Sequence, residues 1–367
     1  FLLAAIAGTA LGNVASAGLM GLSRVASAGF VDFVDVLAGT VVKVVLVFYG
    51  FGLLALVTGG TVGSIIGAVI AVVLVPIGVS TPSRSHFRDL YTYARYTFVS
   101  GATGRFYDNV DILVIGAFLS SSAVGIYTLP YRFSFVITIF SRAITSVLLP
   151  SVSQLASEEQ YERVSQVASD GIIYSTMLAI PATVGMVLLS RQIIVTLFTP
   201  AFAEGASVAV LLVALQIPNG LREVFQTVLG GLDRPEFGMR AGVILITANG
   251  ILDLVLVPNI GIIGAAIGSF VGVTLATVYL GYQIRTVPEL SDDIFPFRQI
   301  SEEVVAAAVM GVIVLWMWNT VGMPQLQRLI VVVSAAIVSY SSVLVGISPG
   351  IRNRIRGILR DVVVGHD

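Results

Sequence analysis

The sequence predicts an all-α polytopic membrane protein with about eleven transmembrane helices. Three observations carry that expectation. Of the 367 residues, 56% are apolar and only 11% are charged, whereas a soluble domain carries about 25% charged residues. The mean hydropathy is correspondingly high, +0.96. The apolar residues gather into runs of about 20, the length that crosses the hydrocarbon core of a bilayer. The arginines, nineteen against a single lysine, are unevenly shared between the two sets of connections. Cysteine is absent, and His86 and His366 stand alone, so neither a disulfide nor a thiolate or histidine metal site is expected.

In chain order the runs are 2–18, 31–48, 52–76, 92–119, 123–150, 171–198, 205–230, 238–257, 261–284, 301–320 and 326–346. The first opens FLLAAIAGTALGNV with no initiator Met and no basic stretch ahead of it. That pattern fits a processed or truncated chain beginning inside a membrane helix better than a signal peptide. Connections at Tyr49–Phe51, Ser120–Ser122 and Pro258–Ile260 are so short that their neighbours must be antiparallel hairpins. Asp32 and Asp35 open the second run, where the helix dipole favours acids. Gly59/Gly63/Gly67 and Gly264/Gly268/Gly272 are smooth strips that let helices approach closely. They belong to a faint internal repeat, also marked by MGLSR (Met20–Arg24) and GGLDR (Gly230–Arg234), although the glycines do not keep one register. Loop 151–170, SVSQLASEEQYERVSQVASD, reads as a short amphipathic helix on the membrane surface.

Arginine placement orients the chain. One set of connections holds thirteen: Arg24, Arg84, Arg88, Arg95, Arg163, Arg234, Arg240, Arg285, Arg298, Arg352, Arg354, Arg356 and Arg360. The opposite set holds Arg191 and Arg328. The rich side is expected in the cytoplasm, and with it the basic tail Arg352–Arg360.

The embedded charges are the functional question, because each costs roughly 2.5–3.5 kcal/mol near the bilayer centre. Tyr91–Phe133 forms a hairpin that carries Arg105, Asp108, Asp111 and Arg132. Asp111 and Arg132 lie equally far from its turn, which predicts an ion pair between them. Arg105, Asp108 and Asp111 share about a third of their helix's circumference. These charges either pin the hairpin or line a translocation cavity, and the two roles are compatible. In QIPNGLRE (Gln216–Glu223), Pro218 and Gly220 fall near mid-membrane with Arg222 one turn on. Such a sequence predicts a helix break, either an ordinary kink or a transporter site. Arg142 snorkels or faces the lumen; Lys43, deep in the second span, has Asp253 at the corresponding place in the later half. No phosphate-binding glycine loop and no Ser/His/Asp set occurs, so no cofactor, no enzymatic chemistry and no nucleic-acid partner is expected, and transport would run on an ion or substrate gradient.

Several stretches resemble one family. They are YDNVDILVIGAFL (Tyr107–Leu119), VGIYTLPYRF (Val124–Phe133), LLPSVSQLA (Leu148–Ala156) and, above all, Gly230–Gly272 with Asn249, Pro258, Gly261 and Gly264–Ala266. In order and spacing they resemble the polysaccharide-type lipid-linked oligosaccharide flippases of the multidrug/oligosaccharidyl-lipid/polysaccharide exporter superfamily. The chain departs from the family pattern at Asn109, where Arg is frequent, and at Asp253, where Asn is common.

The resemblance implies a two-lobe exporter fold of twelve to fourteen helices, here with an incomplete first lobe. Residues 1–76 would be the last half of the N-terminal lobe, 77–91 an inter-lobe linker and 92–284 the C-terminal lobe. Residues 301–346 would be two accessory helices and 347–367 a cytoplasmic tail. It also implies alternating access in the cell membrane, with a polyprenyl-(pyro)phosphate-linked glycan, membrane lipids and glycan biosynthesis proteins as partners. Arg105, Arg132, Arg142 and Arg222 would bind the anionic headgroup, and Asp108 and Asp111 would couple or pair. An ion-coupled drug or metabolite exporter of the same superfamily is the alternative. A glycan polymerase or glycosyltransferase is the second alternative, and the short, nearly uncharged outer loops speak against it.

Overall fold

The computed structural model describes residues 8–10, 12–14, 19, 24–74, 109–291 and 294–352, and all of their regular elements are helical. The chain divides into two compact units, Phe1–Tyr96 and Thr97–Asp367.

In the first unit, α1 (Val25–Phe48) and α2 (Leu53–Leu74) form an antiparallel hairpin. Its turn uses Gly50 and Gly52 at φ +84° and +52°, a region that only glycine enters without strain. The glycine strip of α2 lies directly on α1. A Cβ on Gly63 would come within 2.8 Å of Asp35 Oδ1 and 2.9 Å of Gly39 Cα. The expected placement of Asp32 and Asp35 at a helix N-terminus is corrected, because α1 begins at Val25. Asp35 is an interior residue whose side chain lies over Gly63 and Gly67.

The second unit begins with α3 (Asn109–Phe118) and turns through Ser120, whose hydroxyl accepts the Ala123 N–H at 3.2 Å to start α4 (Ser121–Ser157). Then follow α5 (Tyr161–Leu197), α6 (Gly205–Ala214), α7 (Gln216–Gly231), α8 (Pro235–Ile260), α9 (Ile262–Arg285), α10 (Phe297–Thr320) and α11 (Gln325–Ile347). Helices α4, α5, α7, α8 and α9 share a core that includes Val152, Ile172, Phe225, Leu245 and Leu280. The α10–α11 hairpin docks on α5 through Met310, Val314, Val332 and Leu344. On the outside, Val136, Val243, Val278, Trp316 and Ile337 are each more than 60% exposed, the arrangement expected of side chains that face lipid tails rather than water.

Eight helices are long and apolar enough to cross a membrane, counting α6 with α7. Eight of the eleven expected spans are thus matched by candidate spans among the described residues. α1 carries Asp32, Asp35 and Lys43 and is not among the eight, and the runs at 2–18 and 92–119 fall largely outside the described residues.

The amphipathic surface helix expected at 151–170 is not there. α4 and α5 are each 37 residues long, about 55 Å at 1.5 Å per residue. Both continue the same helix past the membrane thickness and meet at a three-residue turn, Glu158–Gln160, with Glu159 at φ +58°. Polar residues there are the wet ends of spans, and helical propensity carries on where hydropathy stops.

Candidate functional site

The second unit holds a cavity of about 180 Å³ between its apolar helices. One wall is the stripe Tyr131, Phe135, Thr138 and Arg142 of α4, spaced so that all fall on one helix face. The facing wall is the α6–α7 junction. Pro218 has no N–H to return to the carbonyl of Ala214, and the helix is interrupted one residue on, at Leu215. Leu215 keeps helical dihedrals, and its N–H still donates to the Leu211 carbonyl at 2.8 Å, so the interruption is the one missing hydrogen bond. The Pro218 carbonyl instead accepts the Thr277 hydroxyl of α9 at 2.8 Å, and Gly220 seats against Ser175 of α5, which a Cβ would approach to 3.0 Å.

The broken helix projects a polar rung into the cavity. Gln216 Oε1 accepts from Thr138 at 3.0 Å and from the Asn219 amide at 3.3 Å. Asn219 Oδ1 in turn accepts Arg222 Nε at 3.2 Å and Nη2 at 3.0 Å, and Gln226 takes Nη1 at 3.1 Å. Glu223 is only a loose ion partner, 3.9 Å away. Neutral amides therefore orient the Arg222 guanidinium, and Glu223 beside it offsets part of its charge. A second cavity of about 440 Å³ shares Arg142, Arg222 and Glu223 with the first. The two arginines stand where the cavities meet, and paired guanidinium forks suit phosphate oxygens.

Beside this lies a cluster of oxygens. Asp111 Oδ2 accepts from Ser269 at 2.8 Å and from the Tyr127 hydroxyl in a very short contact, while Oδ1 accepts from the Asn249 amide at 3.2 Å. Asn249 also donates to Ser269 at 3.1 Å. Asp253, one turn beyond Asn249, is fully buried; no N–H or O–H donor reaches its carboxylate oxygens or Asn249 Oδ1, and the Asp111 carboxyl lies within hydrogen-bonding reach of it. A Cβ on Gly268 would overlap Asp253 Oδ1. Unsatisfied buried acceptors are costly; a cluster of them around two carboxyls is chemically suited to a small cation or a shared proton.

The predicted Asp111–Arg132 pair is not formed. Asp111 is taken up by Tyr127, Asn249 and Ser269, and Arg132 is exposed. Equal depth was satisfied; helical phase was not. The inward face of α4 runs through Tyr127, Pro130, Ser134, Ile137 and Ser141, and Arg132 points elsewhere, lining neither cavity. Arg105 and Asp108 lie outside the described residues. Arg142 and Arg222 are brought together with Asp111, Gln216, Asn219 and Ser269. Sequence reasoning missed Tyr127 and Ser269. The signal for Ser269 was present, since Asp253 and Ser269 are equally spaced about the Gly261 turn, whose φ is +66°.

A model of the family described as polysaccharide biosynthesis protein matches residues 6–207. The chain belongs to this family. Among relatives, it is 30% identical to a probable flippase, AglR, of Haloferax volcanii over 348 residues, covering 94% of this chain and 72% of the relative. It is 27% identical to a probable low-salt glycan biosynthesis flippase, Agl15, of the same organism, covering 77% and 59%. A solved structure of the lipid II flippase MurJ in an inward closed conformation has a similar fold, with TM-score 0.71 and 16% identity over 84% of this chain and 65% of that one. The family member described here therefore spans only part of the length of each of these proteins.

Proposed function

We propose that this chain is the larger part of a flippase that carries a polyprenyl-(pyro)phosphate-linked oligosaccharide across the cell membrane by alternating access. The observation that carries the reading is the meeting of Arg142 and Arg222 at an embedded cavity, in a chain whose relatives are named as glycan flippases. The arginines hold the phosphate while the polyprenyl tail stays in lipid. Arg105 is a further headgroup cation of the same pathway, whereas Arg132, exposed and lining neither cavity, is left out of it. The interruption before Pro218 and Gly220 lets the rung that carries Arg222 shift between states. No bond is made or broken in this scheme: the protein is a translocator, not an enzyme.

Coupling resides in the oxygen cluster. Asp111 is its anchored carboxyl and Asp253 its fully buried one, and Asp108 is a further coupling or pairing acid. Loading with a cation or proton satisfies the orphaned acceptors and biases one state. An ion-coupled exporter of a drug or metabolite would use the same cluster, but it would have no need of two converging guanidinium groups.

Residues 1–76 form the last half of the first lobe, 77–91 the linker, 92–284 the second lobe and 301–346 the accessory pair, with residues 347–367 and the α4–α5 turn in the cytoplasm. Membrane lipids and the enzymes that build the glycan are its partners. The experiment is substitution of Arg142 and Arg222 by Ala, singly, followed by measurement of lipid-linked glycan on the cytoplasmic leaflet. Accumulation at wild-type protein levels is expected; normal surface glycan with both variants would remove the cavity reading.

A further inference from the structure

Glu303 is a buried acid that the site above does not use. It stands on α10 six residues after the helix begins at Phe297, about 9 Å along the axis. There the α10–α11 hairpin docks on α5, and Glu303 is fully buried. A carboxylate in such a place needs hydrogen-bond donors or a cation. Among the described residues no N–H or O–H donor reaches either of its oxygens, and it joins no ion pair.

The neighbours show why no donor arrives. The Thr176 hydroxyl of α5 lies within hydrogen-bonding reach of the carboxyl, but it gives its one hydrogen to the carbonyls of Ile172 and Ile173, at 3.0 and 3.1 Å. Tyr340 of α11 interacts electrostatically with Glu303, yet its hydroxyl donates to the Met177 carbonyl at 2.8 Å. That carbonyl is open because Pro181, four residues on in α5, has no N–H to return to it. The other titratable group that interacts with Glu303 is Glu302, a second acid, and the exposed Arg298 pairs with Glu302 at 3.1 Å. The hydroxyl hydrogens around Glu303 are thus committed, and its neighbours offer lone pairs. A proton on the carboxyl completes the set, because neutral Glu303 can donate to Thr176 Oγ1, and it removes a charge that is costly to bury.

We propose that Glu303 is a proton-binding site whose protonated form seats the α10–α11 hairpin on α5. The inference stands apart from the flippase reading and from the Asp111–Asp253 cluster. Loss of the proton leaves a carboxylate with no donor, which the fold relieves by lifting the hairpin towards water. Met177 and Tyr340 also line the apolar groove between α5 and the hairpin, so the seating sets the width of that groove. The seated state holds one proton more than the lifted one; seating is therefore favoured as pH falls and lost as pH rises, by up to about tenfold in the ratio per pH unit. The chain has no cysteine, so spin labels can be placed by Val187→Cys on α5 and Val312→Cys on α10, both exposed. The distance between them would be followed against pH in the whole protein in lipid vesicles, with Glu303 intact, as Glu303→Gln and as Thr176→Val. With Glu303 intact the distance should widen as pH rises, whereas Glu303→Gln, neutral at every pH, stays seated. Thr176→Val removes the acceptor of the acid proton and should move the widening to lower pH. Infrared difference spectra between the wild type and Glu303→Gln should lose the carboxylic-acid C=O band over the same pH interval as the widening. A distance that ignores pH, or that responds equally in Glu303→Gln, overturns the proposal. So does a Glu303→Gln hairpin that is lifted at low pH, or a carboxylate band in place of the acid band while the hairpin is seated. Seating that follows added Na⁺ at fixed pH assigns the carboxyl to a metal cation and overturns it as well.

Discussion

Asp253 shows how much a single side chain decides here. Buried with no N–H or O–H donor to either oxygen, it should tolerate loss of its charge better than gain of bulk beside it. Asp253→Asn keeps the volume and removes the proposed coupling group, so the protein should fold and reach the membrane while transport falls about tenfold or more and loses its dependence on an imposed cation or pH gradient. Transport assayed across a series of imposed ion and pH gradients checks this; wild-type gradient dependence in the variant would exclude Asp253 from coupling. Gly268→Ala does the converse. Its Cβ collides with Asp253, an overpacking that should cost about 1–3 kcal/mol. Gly242→Ala, with nothing within 4 Å, should be neutral or slightly stabilising. Thermal unfolding of the two variants in detergent makes the comparison.

At the scale of elements, the broken span α6–α7 is the part whose shape follows most directly from a residue. Pro218→Ala restores the N–H that Ala214 lacks and should mend the interruption at Leu215. The variant is expected to melt higher than wild type and to transport more slowly, because the rung Gln216–Asn219–Arg222 loses its freedom to shift; a variant no more stable than wild type, with unchanged transport, would make the break incidental. The missing hydrogen bond was legible in the sequence, since proline chemistry is local. The glycine strips were legible as packing, but their register emerged only from contacts: Gly59 answers to Gly268, not to Gly264. The α4–α5 turn was misplaced because hydropathy marks where lipid ends rather than where a helix ends. Asp111 was assigned to Arg132 on depth alone, and a partner on another helix is chosen by depth and rotation together. Tyr127 wins on rotation. Ser269 came into reach only when α8 and α9 folded back about Gly261.

For the whole molecule, composition alone established a polytopic helical membrane protein, because charge at 11% leaves no other way to cover the surface. The family resemblance added what composition could not, namely the kind of cargo, and the cavity supplied residues to meet it. Folding sets Arg222 among the amides of Asn219 and Gln226 with Glu223 3.9 Å away, so its guanidinium is oriented by neutral groups in a low-dielectric setting where a phosphate gains most from it. The most direct test is translocation itself. The purified protein in vesicles should move a fluorescent polyprenyl-pyrophosphate oligosaccharide between leaflets, with Arg142→Ala and Arg222→Ala each slowing transfer by about tenfold to a hundredfold at unchanged incorporation. Equal transfer rates for wild type and both variants would contradict the account.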